Sequence, residues 1–234
     1  MDHRVTLYQT YAEFKSWTGE KAPGDDATYA IELRRAGLKP HAKILEIGFG
    51  DGHFLDWASR EGHCVTGVEV VEDLVKSARM RGHNVFCGTA QSALSSTEDR
   101  FDLIVAFDVF EHLTVNELLE LMRFTKTILA PQARILARFP NGASPFSGPY
   151  QNGDTTHMLT LNGEAVRQIA HAAGMQVTGI HNATRSKNGG NAHGGLKKRA
   201  GYLVRDLIEM SLGAIYFGQR IPLDPNLTVI IGEA

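Results

Sequence analysis

From Lys43 onward, short apolar runs alternate with longer stretches whose apolar residues recur every three to four positions. The runs predict strands at Lys43–Ile47, Cys64–Glu69, Asn84–Cys87, 101–108, 134–139 and 175–181. Between them the helical period predicts helices over 54–61, 72–81, 115–129 and 163–173, with a short helical segment at 91–94. Gly62, Gly82, Pro131 and Gly174 stand as their stop signals. Strand, helix, strand in regular alternation is the pattern of a parallel sheet with crossover helices, so the fold class is α/β. A last run, 227–231, predicts one more strand. Pro140-Asn141-Gly142 breaks the fifth strand, and the stretch 143–160 after it is long and irregular. Such a stretch inside a compact domain is expected to carry function.

Two helical patterns lie outside this alternation. Tyr8, Tyr11, Phe14 and Trp17 recur every three residues near the N-terminus. They give an aromatic face that either packs on the sheet or covers a ligand site. The second pattern, 196–217, places Leu196, Leu203, Leu207, Ile208 and Ile215 on a stripe opened by Lys197, Lys198 and Arg199. A basic amphipathic helix suits an anionic membrane surface, but Asp206 and Glu209 interrupt its polar side. Core packing or a second copy of the chain is the preferred reading of this stripe, with peripheral membrane contact the lesser one.

Composition narrows the partners more than the fold. With 24 basic and 26 acidic residues among 234, the chain has no positive field to gather nucleic acid, and none is expected as a partner. Cys64 and Cys87 both fall on predicted strands and read as reduced, buried residues of a cytoplasmic protein. The first residues are too polar for a signal peptide, and no apolar run is long enough to cross a membrane.

The chemistry concentrates where the first strand ends. Glu46 lies in that strand, and Gly48, Gly50 and Gly52 follow before a helix begins. Glycines permit positive φ and close approach of a ligand to the backbone, and a helix N-terminus favours anionic or carboxylate-bearing groups. A dinucleotide fingerprint requires a third glycine where His53 stands. The pattern Glu46-Ile47-Gly48-Phe49-Gly50-Asp51-Gly52 instead resembles motif I of the class I S-adenosylmethionine (SAM) dependent methyltransferases. Glu69, ending the second strand about 20 residues on, is placed to accept ribose hydroxyls. The run FDLIVAFDVFEHL at 101–113 resembles the strand-four motif of the same family.

The resemblance implies SAM as methyl donor and a Rossmann-like doubly wound sheet. That sheet is mostly parallel, has an antiparallel last strand inserted between the fifth and sixth, and carries helices on both faces. It implies one domain over 1–234, comprising an N-terminal helical lid (1–38), a SAM-binding core (40–182) and a C-terminal loop, helix and strand (183–234). Glu46, Gly48, Phe49, Gly50 and Gly52 would form the methionine loop, and Glu69 with Val70 would hold the ribose. Thr89, Ala90 and Gln91 would border the adenine, although the family often has an acidic residue where Thr89 stands. Phe107 and Asp108 would floor the pocket.

For a hydroxyl acceptor a base is useful, because a neutral alcohol is a poor nucleophile. His112, after strand four, and His157, in the irregular stretch, are the candidates. Each alternatively hydrogen-bonds a loop backbone. Asp108, Asp154 and His157 are not at any diagnostic metal spacing, and no metal is expected. The polar loop 181–195 suits a polyhydroxylated or anionic acceptor. The stretch 138–157 resembles methyltransferases of bacterial polysaccharide and glycan clusters, which implies O-methylation of a sugar or glycan intermediate. The competing expectations are O-methylation of a phenolic or quinone-type small molecule and a SAM-binding regulator without catalysis.

Overall fold

Strand β1 (Lys43–Ile47) lies inside a seven-stranded sheet because it is apolar on both faces, and all but its first residue are buried. In the computed structural model, which describes Leu7 and residues 25–185 and 192–233, the sheet order is β3-β2-β1-β4-β5-β7-β6. The strands β2 (Cys64–Glu69), β3 (Asn84–Cys87), β4 (Phe101–Phe107) and β5 (Leu129–Pro140) extend it in parallel from β1. The strand β7 (Asn226–Glu233) runs antiparallel between β5 and β6 (Met175–Asn182), as expected.

The crossovers are α2 (His53–Arg60), α3 (Glu72–Met80), α4 (Ala90–Ala93), α5 (Val115–Ile128) and α7 (Gly163–Ala172), with α6 (Gly148–Gln151) inside the irregular stretch. Leu118, Leu121 and Met122 of α5 and Val166 and Ala170 of α7 bury against one sheet face with Ile104 and Ile135. Against the other face, α1 (Asp25–Arg35) and α2 contribute Leu33, Phe54, Trp57 and Ala58, packed on Ile44, Leu103 and Leu136. Helix α5 is fixed at its start by a capping box between Thr114 and Glu117.

Several expectations are corrected. Strand β5 begins directly after α5 and runs through Pro131. The β4–β5 register shifts at this point, and Gln132 has φ +64°. A bulge is where a strand tolerates proline. Cys64 and Cys87 are both exposed rather than buried. Cys64 opens β2 before that strand enters the core, and Cys87 closes the edge strand β3. The stripe Tyr8, Tyr11, Phe14 and Trp17 lies outside the described residues.

Helix α8 (Ala192–Phe217) does not pack its apolar stripe into the core: Leu203, Leu207 and Ile215 are exposed. The side turned inward is polar. Asp206 pairs with Arg185 at 2.8 Å, and Glu209 takes a hydrogen bond from Arg220 at 2.7 Å. Among the described residues, no helix is long and apolar enough to cross a membrane.

Gly67 in β2 shows how tightly the strands hold the turn after β1. A Cβ there would lie 2.7 Å from Phe49 and 2.9 Å from Val85. Gly67→Ala is expected to cost about 1–3 kcal/mol through overpacking. At roughly 2–4 °C per kcal/mol, thermal unfolding should detect it. An unchanged melting temperature would contradict this packing.

Candidate active site

The carboxyl ends of β1, β2 and β4 open into one cavity of about 640 Å³, the size of a small-ligand site. Its position outside the strand ends is where doubly wound sheets take ligands. The turn after β1 forms one wall, with Gly48, Gly50 and Gly52 at φ +69°, +56° and +82°. Gly48 also admits no side chain, because a Cβ would stand 2.6 Å from Val109. Gly52 is the left-handed N-cap of α2 and does not line the cavity. The Arg81 guanidinium crosses this corner and donates to the Asp51 carbonyl at 2.6 Å.

Glu46 and Glu69 face this cavity in different states. Glu46 is 4% exposed, and its Oε2 has no hydrogen-bond partner among the described residues. Burial pushes its carboxyl well above the usual range, and Asp51, Glu69 and Asp56 push it the same way. Glu69 is also buried but well supplied with donors. It accepts from Gly50 N at 3.1 Å, Val70 N at 2.7 Å and Val71 N at 3.0 Å. Burial raises the Glu69 carboxyl and these three N–H groups hold the rise back, leaving it above its ordinary value.

Phe49, Val70, Thr89, Ala90, Gln91, Phe107, Asp108 and His112 line the same cavity. Thr89 caps α4 by accepting from Ser92 N at 3.2 Å. Asp108 takes a left-handed φ of +58° and pairs through both oxygens with Arg138. The guanidinium lies 4.9 Å over the Phe107 ring. Burial works against the Arg138 charge, but Asp108 outweighs it and holds the proton more firmly than usual.

The two candidate histidines meet. Their rings pack edge to face at 4.7 Å, joining the segment after β4 to the irregular stretch after β5. The Glu111 carbonyl makes the junction by accepting from Met158 N at 2.7 Å and Leu159 N at 3.0 Å. His157 reaches the cavity only through His112, because His157 is not itself a lining residue. The grouping Asp108, Asp154 and His157 does not form as a ligand set, since Asp108 is committed to Arg138. The metal-capable cluster among the described residues is Glu111, His112 and His157.

Tyr29, Arg138, Glu117 and Glu120 line the cavity without having been singled out in the sequence. Arg138 had a signal, because β5 lies in register beside β4 with Arg138 opposite Phe107. Tyr29 had none in its own surroundings. It reaches the site by stacking on Phe107 at 5.9 Å. Five of the lining carboxylates, Glu46, Asp51, Glu69, Glu117 and Glu120, lie opposite a single arginine already paired with Asp108. The site therefore suits a cationic ligand.

Residues 25–179 match the model of a methyltransferase-domain family. A ubiquinone biosynthesis O-methyltransferase from Aeromonas salmonicida is 25% identical over 166 residues, covering 62% of this chain and 68% of the relative. Among solved structures, a SAM-dependent methyltransferase from Archaeoglobus fulgidus superposes with a TM-score of 0.65 at 21% identity, over 100% of both chains. The [4+2]-cyclase SpnF superposes with a TM-score of 0.63 at 14% identity, over 98% of this chain and 94% of the other. These two likenesses are of fold, and the second comes from a protein titled for a different reaction.

Proposed function

The chain belongs to the methyltransferase-domain family, and on that premise we propose that it transfers the methyl of SAM to a hydroxyl of a small sugar or glycan intermediate. The observation that carries the donor reading is Glu46, a buried carboxylate with an unpartnered oxygen on a cavity wall of bare backbone. An ammonium group supplies the charge and the donors that this oxygen lacks. Glu69 keeps lone pairs for ribose hydroxyls beyond the three N–H groups it accepts. The residues present therefore fit SAM. The turn Gly48–Gly50 with Phe49 passes the methionine part, Glu69 and Val70 hold the ribose, and Thr89, Ala90 and Gln91 border the adenine. Phe107 and Asp108 form the floor.

SAM, when bound, supplies an electrophilic methyl on a sulfonium whose departure needs no proton. The protein's part is alignment, an effect worth roughly 7–11 kcal/mol in favourable cases, together with management of the acceptor proton. His112, which lines the cavity, acts on that proton, with His157 packed edge to face behind it. The resemblance over 138–157 and the polar composition of 181–195, of which 186–191 lie outside the described residues, support a polyhydroxylated acceptor. The 25% identical relative favours a second reading, a phenolic acceptor.

Methyl-tritiated SAM offered with sugar nucleotides, monosaccharides and catechols separates these readings. Label entering the sugar arm is the expected result. Label confined to catechols moves the acceptor to phenols. Firm S-adenosylhomocysteine binding with no turnover in any arm would replace the enzyme by a SAM-binding regulator.

A further inference from the structure

Two adjacent rows of large apolar side chains run along the outside of α8. Leu196, Leu203 and Leu207 form one, and Val204, Ile208 and Ile215 the other, at spacings that keep each row on one helix face. All six are between 43% and 74% exposed. The patch extends beyond the helix. Phe146 and Tyr150, both exposed, share a groove of about 330 Å³ with Ile208 and Arg205. The two parts are tied together through the segment after α8. Ser144 Oγ donates to the Leu223 carbonyl at 2.6 Å, and Leu223 N donates to Glu209 of α8 at 3.0 Å. A contiguous apolar patch of this kind marks an interaction surface.

Charge decides which surface covers it. Lys197, Arg199 and Arg205 are exposed along the helix. The two carboxylates that interrupt its polar side, Asp206 and Glu209, are already answered within the protein. Asp206 pairs with Arg185 at 2.8 Å. Glu209 is buried and takes hydrogen bonds from Asn182, Leu223 N and Arg220. The stretch 143–153, which carries Phe146 and Tyr150, holds no acidic residue. A second copy meeting the stripe across a two-fold axis would therefore add cations to cations, with no spare carboxylate to answer them. An anionic lipid surface answers them all and takes the apolar rows into the boundary between headgroups and acyl chains. Tyr150 suits that boundary, having an apolar ring and a polar tip.

We propose that α8, with Phe146 and Tyr150 beside it, docks this protein flat on an anionic phospholipid surface. The helix lies on the membrane rather than across it, since no helix among the described residues is long and apolar enough to cross. The exposed cations supply an attraction that salt screens, and the apolar rows supply a hold that salt does not. The attachment goes beyond the methyl-transfer reading and does not rest on it.

The test is co-sedimentation of the full chain with two kinds of vesicle, phosphatidylcholine alone and phosphatidylcholine mixed with phosphatidylglycerol, at low and high salt. Gel filtration of the same samples reports the oligomeric state. Wild-type protein is expected to pellet with the phosphatidylglycerol vesicles, to stay in solution with phosphatidylcholine alone, and to bind less at high salt. Lys197→Gln combined with Arg199→Gln should weaken binding roughly 30-fold. Leu203→Ser combined with Leu207→Ser should weaken it at least about tenfold. All four side chains are exposed, so both double variants should keep the wild-type melting temperature, which confirms that they fold. Protein that stays in solution with both vesicles overturns the proposal, and a dimer lost in the leucine variant would then give the face to a second copy. Equal pelleting with both vesicles, or pelleting indifferent to either double variant, overturns it as well.

Discussion

Glu46→Gln is expected to raise the melting temperature of the ligand-free protein at neutral pH while weakening its hold on S-adenosylhomocysteine. The two effects share one cause. Burial, reinforced by Asp51, Glu69 and Asp56, raises the folded-state pKa of Glu46 well above its ordinary 4.5. Between the unfolded and folded values the native state binds more protons than the unfolded state, so stability falls as pH rises through that window. The amide has no such window. The gain of Glu46→Gln over wild type should therefore grow as pH rises above about 4.5 and vanish below it. Binding moves the other way, because an ammonium loses a charged partner worth about 1.5–3 kcal/mol. That is roughly a tenfold to hundredfold weakening. Melting curves across pH, paired with calorimetry, check both halves. A glutamine variant less stable than wild type at neutral pH would contradict the unpartnered state of Glu46.

Glu69→Ala is expected to do the opposite to stability. Although the Glu69 carboxyl is also raised by burial, it closes the turn by accepting from Gly50, Val70 and Val71. Removing it strands the buried Gly50 N–H, at a cost of about 1–3 kcal/mol. With roughly 2–4 °C per kcal/mol for a chain of this size, the melting temperature should fall by roughly 2–12 °C. Loss of the ribose acceptor adds to this, so S-adenosylhomocysteine affinity should drop further than in Glu46→Gln. Glu69→Gln keeps one carbonyl oxygen and should fall between wild type and alanine in both measurements. Two glutamates on one wall thus give variants with stability changes of opposite sign, a result that mere loss of charge does not produce.

The glycine turn and the strand-end carboxylates were legible because their chemistry is local. Glu46 and the three glycines are neighbours in sequence, and Glu69 follows at the end of the next strand. The succession of strands and helices was legible for the same reason, since the period of the apolar residues changes at each boundary. The place of the last strand in the sheet came instead from the family resemblance. What was not legible depends on contacts between distant segments. His112 and His157 were found one at a time, but their meeting requires the Glu111 carbonyl to bond residues 158 and 159. The amphipathic character of α8 was visible, but not which side faces in. Glu209 is held inside by the Asn182 amide and the Leu223 N–H, and Asp206 beside it pairs with the largely covered Arg185. The outward cysteines teach the same lesson: membership in a strand does not bury its first or last residue.

The central claim is that this cavity holds SAM through the turn after β1 and the carboxylates Glu46 and Glu69. The most direct measurement is calorimetric titration of S-adenosylhomocysteine into the wild-type protein, with NAD as the control ligand. Saturable binding of one S-adenosylhomocysteine per chain, weakened in Glu46→Gln and more so in Glu69→Ala, with no heat from NAD, is the predicted result. Binding of NAD instead, or S-adenosylhomocysteine affinity untouched by either substitution, would contradict it.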